Sequence, residues 1–533
     1  MTPQVRARGR MVGLLAVLTV LTAVVTGFAP AASAQSYVPI SGSGSTWSYN
    51  AIDQWRKNVQ QFGIRISFAG TGSTDGRNQF KSGQVDFAVS EIPYNLVDGG
   101  VRDLPPENGN FAYMPIVAGG TSLMYNLNIG GKRVTTLRLS GDVVTKIFTR
   151  VITMWNDPAI AADNPSLKLP ARQIIPVVRG DGSGSTAQFT AWMAAQHGGI
   201  WDDFCRKVNR ATPCGFTSSY PSMQGIIAQE KSIGVANYVR QGQSDGAITY
   251  VEYSYAKNAG FPVAKLLNAK GYYVSPTAQA VAVALLKAKI NPDLTQDLNQ
   301  VYTDADPRTY PMSSYSYMIL PTAPTAKFNE QKGRTLSDFA YYFLCEGQQQ
   351  ADRLGFSPLP INLVQAGLQQ VARIPGSTKK STDIAKCNNP TFSTDGTNTL
   401  AKTAPQPPDC DRKGGPVVCA GPGGTSGTGS TAGTNGAAKP GAATPGAAGP
   451  AAAGDPAAAG PAAAGETAEG GEGTTAEGST DGVVNSASAV PVSVDLPAND
   501  GTLLIVVASV LLLALVVGPP LVAKIIRAKG SQA

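Results

Sequence analysis

Residues 179–186, Arg-Gly-Asp-Gly-Ser-Gly-Ser-Thr, lie between two apolar patterns of different period, and few local structures accommodate that order. The run 174–178, Ile-Ile-Pro-Val-Val, has the length and β-branching of a short buried strand. Beyond it, Phe189, Trp192 and Met193 recur at i, i+3 and i+4, which predicts a helix opening near Ser185 or Thr186. A strand that runs through a Gly/Ser loop into a helix N-terminus offers free backbone N–H groups, hydroxyl donors and the positive end of a dipole. That is a cradle for an anion, with Arg179 at its entrance.

Two similar loops occur earlier. Residues 42–47, Gly-Ser-Gly-Ser-Thr-Trp, follow a short strand at 38–40 and precede a helix marked by Ile52, Trp55, Val59 and Phe62. Residues 70–76, Gly-Thr-Gly-Ser-Thr-Asp-Gly, follow an alternating strand at 64–68 and open a short helix to Lys81. A third strand, 85–90, ends at Glu91-Ile92-Pro93. This β-α-β-α-β order predicts a parallel sheet, whose ligands bind beyond the carboxyl ends of the strands, where both loops and Glu91 fall. Further along, strands are expected at 114–117 and 123–126 around Gly119-Gly120, and helices at 139–148, 226–239 and 277–288. A strand at 310–320 and closing helices at 336–344 and up to Val371 complete the foldable part.

The ends of the chain read differently. Residues 1–34 have the form of a secretory signal: Arg6, Arg8 and Arg10, an apolar run at 11–28, and Ala32-Ser33-Ala34 as the cleavage site. Cystines persist in the compartment this implies. The six cysteines pair in many possible ways; Cys205–Cys214 around a short loop is the expected first pair, with Cys345–Cys387 and Cys410–Cys419 as one arrangement of the rest. From about residue 375 the character changes. A cysteine-containing extension spans 376–419, and 420–500 is built from Gly, Ala, Pro, Thr and Ser, unable to bury a core and expected to be a disordered stalk. Such a stalk has an r.m.s. reach of about 50 Å. Residues 502–522 are apolar and long enough to span a bilayer. Lys524, Arg527 and Lys529 in the tail 523–533 place that tail in the cytoplasm and the folded part outside. The stretch 496–500, Leu-Pro-Ala-Asn-Asp, lacks the Thr-Gly of a sortase signal, so a plain membrane anchor is expected.

Several functions are disfavoured. The formal net charge of +7 comes from scattered or terminal basic residues, without the basic, aromatic-interleaved stripe of a nucleic-acid binder. No Gly-x-x-x-x-Gly-Lys-[Ser/Thr] occurs, and the Gly-x-Gly-x-x-Ala at 182–187 is not in the first βαβ unit, where a dinucleotide fingerprint belongs. His197, the single histidine, falls at a helix end in Gln196-His197-Gly198-Gly199, a place for a surface C-cap rather than a general base. No metal cluster, cofactor motif or paired carboxylates stand out. The chain reads as a binder and not an enzyme.

At these loops the sequence resembles the phosphate-binding proteins of bacterial ABC phosphate importers, over about residues 39–371. Residues 42–47 are similar to that family's Gly-Ala-Gly-Ala-Thr-Phe, 70–76 to Gly-x-Gly-Ser-Ser-Gly-Gly, 86–93 to Asp-Phe-Gly-Ala-Ser-Asp-x-Pro, and 179–185 to Arg-x-Asp-Gly-Ser-Gly-Thr. The resemblance implies an α/β fold of the two-lobed type II periplasmic-binding-protein kind at 35–375, ahead of the disordered stalk and one transmembrane helix. Lobe I would span about 35–117 and 311–375, and lobe II about 118–310, with crossings near 114–117 and 310–320. It also implies the site residues. Thr46, Trp47, Ser73, Ser183, Gly184 and Ser185 would donate, Arg179 would pair with the anion while Asp181 holds it, and Glu91 would accept the proton of hydrogen phosphate. Glu91 departs from the family's Asp, Ser185 from Thr and Trp47 from Phe. The implied partners are inorganic phosphate and membrane permease subunits, with the protein a monomer. A surface adhesion or sensing module on the same fold, or a binder of another oxyanion or a phosphate ester, is the alternative.

Overall fold

The structure, a computed structural model, describes residues 37–379, 384, 387–392 and 397–416. Contacts divide the chain into a unit over residues 1–429 and another over 430–533, and all described residues belong to the first. It opens with the parallel unit that the apolar periods predict: β1 (Ile40–Gly44), α1 (Tyr49–Asn58), β2 (Ile66–Ala69), α2 (Ser73–Lys81) and β3 (Phe87–Ser90). β1 lies between β2 and β3, with Ile40 opposite Ile66 and Gly42 opposite Phe87. On α1 the buried stripe is Ala51, Ile52 and Trp55. Trp55 stacks on Phe343 at 5.0 Å and donates from Nε1 to the Gly347 carbonyl at 2.9 Å.

Next comes β4 (Phe111–Tyr125), one continuous strand of 15 residues. Two strands broken at Gly119-Gly120 were expected there, and the physical reason for the difference is packing. A Cβ on Gly119 would lie 2.8 Å from the Trp47 ring, and one on Gly120 2.7 Å from the Pro276 side chain and 3.0 Å from the Tyr310 ring. The two glycines are not a turn. They are the groove in an extended strand into which large side chains fit.

The second part of the sheet contains α3 (Gly141–Phe148), β5 (Ile175–Arg179), α4 (Gly184–Lys207), β6 (Ile227–Gln229), α5 (Lys231–Val239), β7 (Ala247–Glu252), α6 (Tyr253–Ala259) and β8 (Val263–Leu267). β5 runs parallel to both β6 and β7. The helix expected at 226–239 is thus a strand followed by a shorter helix. Residues 227–229 take the edge position beside β5, and Lys231, at φ 65°, breaks the chain direction between them. α4 is interrupted at His197 (φ −137°), whose ring packs edge-on against Trp192 at 5.2 Å, so the histidine is a half-buried kink residue and not a surface cap.

The chain returns through α7 (Ala278–Ala284) and β9 (Ser313–Pro321), then α8 (Glu330–Leu344) and α9 (Ile361–Arg373). The strand order is β6-β5-β7-β4-β9-β3-β1-β2 in a single mixed sheet. β4 is antiparallel to β9 from Phe111 to Gly120, and to β7 from Thr121 to Tyr125. Its partner therefore changes between Gly120 and Thr121. One strand belongs to both halves of the sheet.

Cys205 pairs with Cys214 and Cys345 with Cys387, both as expected. The expected Cys410–Cys419 bond ends outside the described residues, as do the expected leader, stalk and apolar span at 502–522. Among the described residues no helix is long and apolar enough to cross a membrane. The extension beyond the second disulfide packs on the sheet's two halves in turn. Thr391 donates to the Leu359 carbonyl at 2.8 Å. A short helix, α10 (Thr399–Thr403), then sets Ala401 against Ala282 and Val283 of α7. Finally Asp411 pairs with Arg138 at 2.8 Å and with Lys265 of β8 at 2.5 Å.

Cys345 and Cys387 are 42 residues apart, a loop whose closure in the unfolded chain is worth about 4 kcal/mol by chain entropy. Replacing both by serine is expected to lower unfolding stability by roughly 2–4 kcal/mol. Denaturant unfolding of the two forms checks it; equal midpoints would show that the bond contributes nothing.

Candidate anion-binding site

The three Gly/Ser loops converge where the two halves of the sheet face each other. The first two are shaped by a backbone that only glycine takes easily. Gly44 (φ 134°) ends β1 with the Val89 carbonyl where a side chain would stand, and Gly72 (φ 104°) has Asp181 and the Gly182 carbonyl in the same place. Hydrogen bonds then cross between the halves. Thr74 N–H donates to the Gly182 carbonyl at 3.2 Å, Gly184 N–H to Ser73 Oγ at 3.2 Å, and Gln188 Nε2 to the Glu91 carbonyl at 2.8 Å. Ser232 N–H donates to Thr46 Oγ1 at 3.2 Å, and Tyr255 Oη donates to the Thr46 carbonyl at 2.6 Å.

Arg179 is 3% exposed at the end of β5. Its Nε donates to Asp181 Oδ1 at 2.6 Å and Nη2 to Asp181 Oδ2, a bidentate fork, while Nη1 reaches Ser232 Oγ at 3.2 Å. Burial alone would raise the Asp181 carboxyl, but the Arg179 hydrogen bonds and charge, with a further bond from Lys231 N–H, carry it below the usual carboxylate range. Removing one partner of such a buried pair typically costs about 3–5 kcal/mol. Ser183 caps α4, its Oγ accepting from Thr186 N–H at 3.2 Å, and its own N–H is taken by the Ser218 carbonyl at 2.9 Å. Ser185, one residue into the helix, is 1% exposed, and among the described residues its hydroxyl has no hydrogen-bond partner. A buried, unmatched hydroxyl at a helix N-terminus is a donor held ready for an anion.

Glu91 is 1% exposed and accepts on both oxygens. Oε1 takes the hydroxyls of Ser45, at 2.5 Å, and Ser316; Oε2 takes Ser73 Oγ at 2.8 Å. Oε2 also lies against the start of α4: a Cβ on Gly184 would be 2.0 Å from it, so position 184 tolerates no side chain while the halves are together. Trp47 places its N–H on Ser45 Oγ at 3.0 Å and its Nε1 on Thr121 Oγ1 at 3.2 Å. All the residues expected from the loops thus gather here. Ser45, Ser316, Ser232, Tyr255 and Gln188 were not expected. Ser45 sits inside a loop the sequence singles out, whereas the others have no signal beyond being polar in an apolar run.

A second carboxyl lies beneath the site. Glu252, at the end of β7, caps α6 by accepting from Ser254 N–H at 2.7 Å, and its Oε1 has no partner among the described residues. Complete burial, joined by the charge of Glu91, pushes it well above its ordinary value of 4.5. Buried cysteine, metal or paired-nucleophile chemistry is not what this arrangement offers. One guanidinium, several N–H and hydroxyl donors and one acceptor carboxylate suit a tetrahedral oxyanion that carries a proton.

The family described as "PBP superfamily domain" matches residues 29–346. The phosphate-binding protein PstS of Xylella fastidiosa (strain Temecula1) is 31% identical over 341 residues, covering 63% of this chain and 85% of that protein. The PstS of Haemophilus influenzae is 28% identical, covering 63% and 93%. Among solved structures, a phosphate-binding protein from Stenotrophomonas maltophilia aligns at TM-score 0.46 with 17% identity, covering 64% of this chain and 98% of that one. A chain with this α/β sheet and this cradle is a solute-binding protein of the periplasmic-binding-protein superfamily, not an enzyme. Within that superfamily it belongs to the PstS family of phosphate-binding proteins.

Glu252 predicts a pH dependence. Because its native value is raised, the folded state keeps a proton that the unfolded chain releases above about 4.5. Its contribution is therefore fully present below 4.5 and lost as pH rises toward the native value. Glu252→Gln keeps an oxygen for Ser254 N–H but cannot ionise. The unfolding temperature of the variant minus that of the parent is expected to grow from pH 4 to pH 8; a constant difference would mean that Glu252 does not titrate between states.

Proposed function

We propose that the protein is an extracellular, membrane-tethered solute-binding protein that captures inorganic phosphate and delivers it to the permease of an ABC importer. The observation that carries this reading is the joining, across the two halves, of Arg179 and the α4 N-terminus on one side with Ser73 and Glu91 on the other. Thr46, the Ser73 N–H and the Ser183 and Ser185 hydroxyls donate to the phosphate oxygens, Trp47 and Gly184, whose N–H groups are held by Ser45 and Ser73, shape the loops around them, and Arg179, oriented by Asp181, pairs with the charge. Glu91 accepts the proton that hydrogen phosphate carries at neutral pH. Sulfate has no such proton and meets a repelling carboxylate, so the acceptor sets the selectivity. Lobe I (about 35–117 and 311–375) closes on lobe II (about 118–310) by a hinge, where β4 changes partner and where the chain returns at 310–312.

Residues 1–34 direct export, 420–500 form the stalk, 502–522 span the membrane and 523–533 stay inside, keeping a monomeric receptor near its permease. The composition of those segments supports this reading. Membrane fractionation checks it. The full chain is expected in the membrane fraction and a chain ending at residue 495 in the soluble one; a full chain that is soluble after export would remove the tether from the proposal.

Titration calorimetry tests the ligand. Heat of phosphate binding is expected for the parent chain, with loss of at least tenfold in affinity for Arg179→Ala, since truncating a buried charge partner costs about 2–5 kcal/mol. Glu91→Gln is expected to narrow the preference for phosphate over sulfate. A folded parent chain that gives no heat with phosphate would sink the transport reading and leave another oxyanion, a phosphate ester, or a sensing or adhesion role.

A further inference from the structure

We infer that Ser45 and Ser316 are positioning residues that clamp one oxygen of Glu91, so that only the other can take the proton of the bound anion. The inference rests on the phosphate reading and deepens it. An ionised carboxylate oxygen accepts about two hydrogen bonds. Oε1 already has two hydroxyls on it, from Ser45 and Ser316. Oε2 has one, from Ser73, and faces the Cα of Gly184 at the helix N-terminus. The lone pair left on Oε2 is the single acceptor the carboxylate can offer a ligand.

The direction of each hydroxyl is fixed. Ser45 Oγ accepts from Trp47 N–H at 3.0 Å, so its own proton points to Glu91. Ser73 Oγ accepts from Gly184 N–H at 3.2 Å, with the same consequence. Ser316 arrives from the opposite strand: Tyr317 of β9 is opposite Ser90 of β3, which brings Ser316 beside Glu91, at the register shift between Ser316 and Tyr317. The end of one strand, a second strand and the start of a helix therefore hold one side chain. The longer acid and the added hydroxyl also belong together. In the pattern this chain resembles, position 45 is alanine and position 91 aspartate; here both differ, and the two side chains that differ touch each other. The extra methylene of glutamate gives the carboxylate another rotatable bond, and the Ser45 and Ser316 hydroxyls remove that freedom.

Calorimetry with inorganic phosphate, and with sulfate as competitor, on the full chain tests this through Ser45→Ala, Ser45→Thr, Ser316→Ala, Glu91→Asp and the double variant Ser45→Ala/Glu91→Asp. Side chains that act as a unit couple rather than add. Ser45→Ala and Ser316→Ala are each expected to weaken phosphate binding about tenfold with the unfolding temperature little changed, while Ser45→Thr, which keeps the hydroxyl, stays within about threefold of the parent. In the Glu91→Asp background the Ser45→Ala change is expected to cost nothing further. Parent-like binding by both alanine variants, or an equal loss from Ser45→Ala with and without Glu91→Asp, overturns the clamp and leaves phosphate binding standing. A parent chain that binds no phosphate overturns the functional reading and the clamp with it.

Discussion

The structure depends on one strand remaining extended through two consecutive glycines. β4 pairs with β9 up to Gly120 and with β7 from Thr121, so both halves of the sheet hang on it. Glycine costs backbone entropy in a strand, and a Gly-Gly pair would ordinarily weaken or bend one. Here the missing side chains are replaced by neighbours: the Trp47 ring over Gly119, and Pro276 and Tyr310 over Gly120. Tyr310 also donates to the Thr121 carbonyl at 2.8 Å and Trp47 Nε1 to Thr121 Oγ1. The point where the two halves join is thus a packed aromatic contact, with hydrogen bonds fixing the residue just beyond it.

The charges at the site do not by themselves attract an anion. One guanidinium stands against two carboxylates, and Asp181 occupies two of the three outer nitrogens of Arg179 in a fork. What remains are oriented donors: the unpaired Ser185 hydroxyl and the α4 dipole. In a water-poor setting such fixed dipoles interact strongly because the low local dielectric does not screen them. Recognition then depends on matching donors and acceptors one for one, which discriminates between anions of equal size better than net charge would.

Much of this was legible in the sequence, for reasons that can be located. The parallel β-α-β-α-β opening followed from period-2 and period-3.6 runs separated by Gly/Ser loops, and Arg179, Ser73 and Glu91 followed from strand ends and from the ordered motifs. Cys205–Cys214 followed from short spacing. What was not legible depends on tertiary contact. Nothing local says that Gly119-Gly120 is a groove under Trp47 and Tyr310 rather than a turn, or that residues 227–229 leave a helical pattern to pair with β5. Ser316 looks like any polar residue in a strand until β9 is set beside β3. Ser232 becomes a partner of Thr46 only when the two halves meet, and of Arg179 only when β5 and α5 are set side by side.

Trp47 connects these levels. Its backbone N–H is part of the loop that holds Ser45 on Glu91, and its ring fills the groove at Gly119 in the strand both halves share. The ring also packs edge-on against Phe356 at 5.8 Å, on the segment where Ser357 bridges to Ala118 of the same strand. A movement at the junction of β4 must therefore shift either this indole or the backbone attached to it. The same residue that replaces the family's phenylalanine joins the site to the strand both halves share through one rigid side chain. Its larger ring also brings a polar atom, Nε1, which the Thr121 hydroxyl satisfies in a region where an unpaired N–H would be costly. The substitution is therefore accommodated by a partner on the shared strand itself, so the position of the 42–47 loop and the geometry of the shared strand are set by one contact.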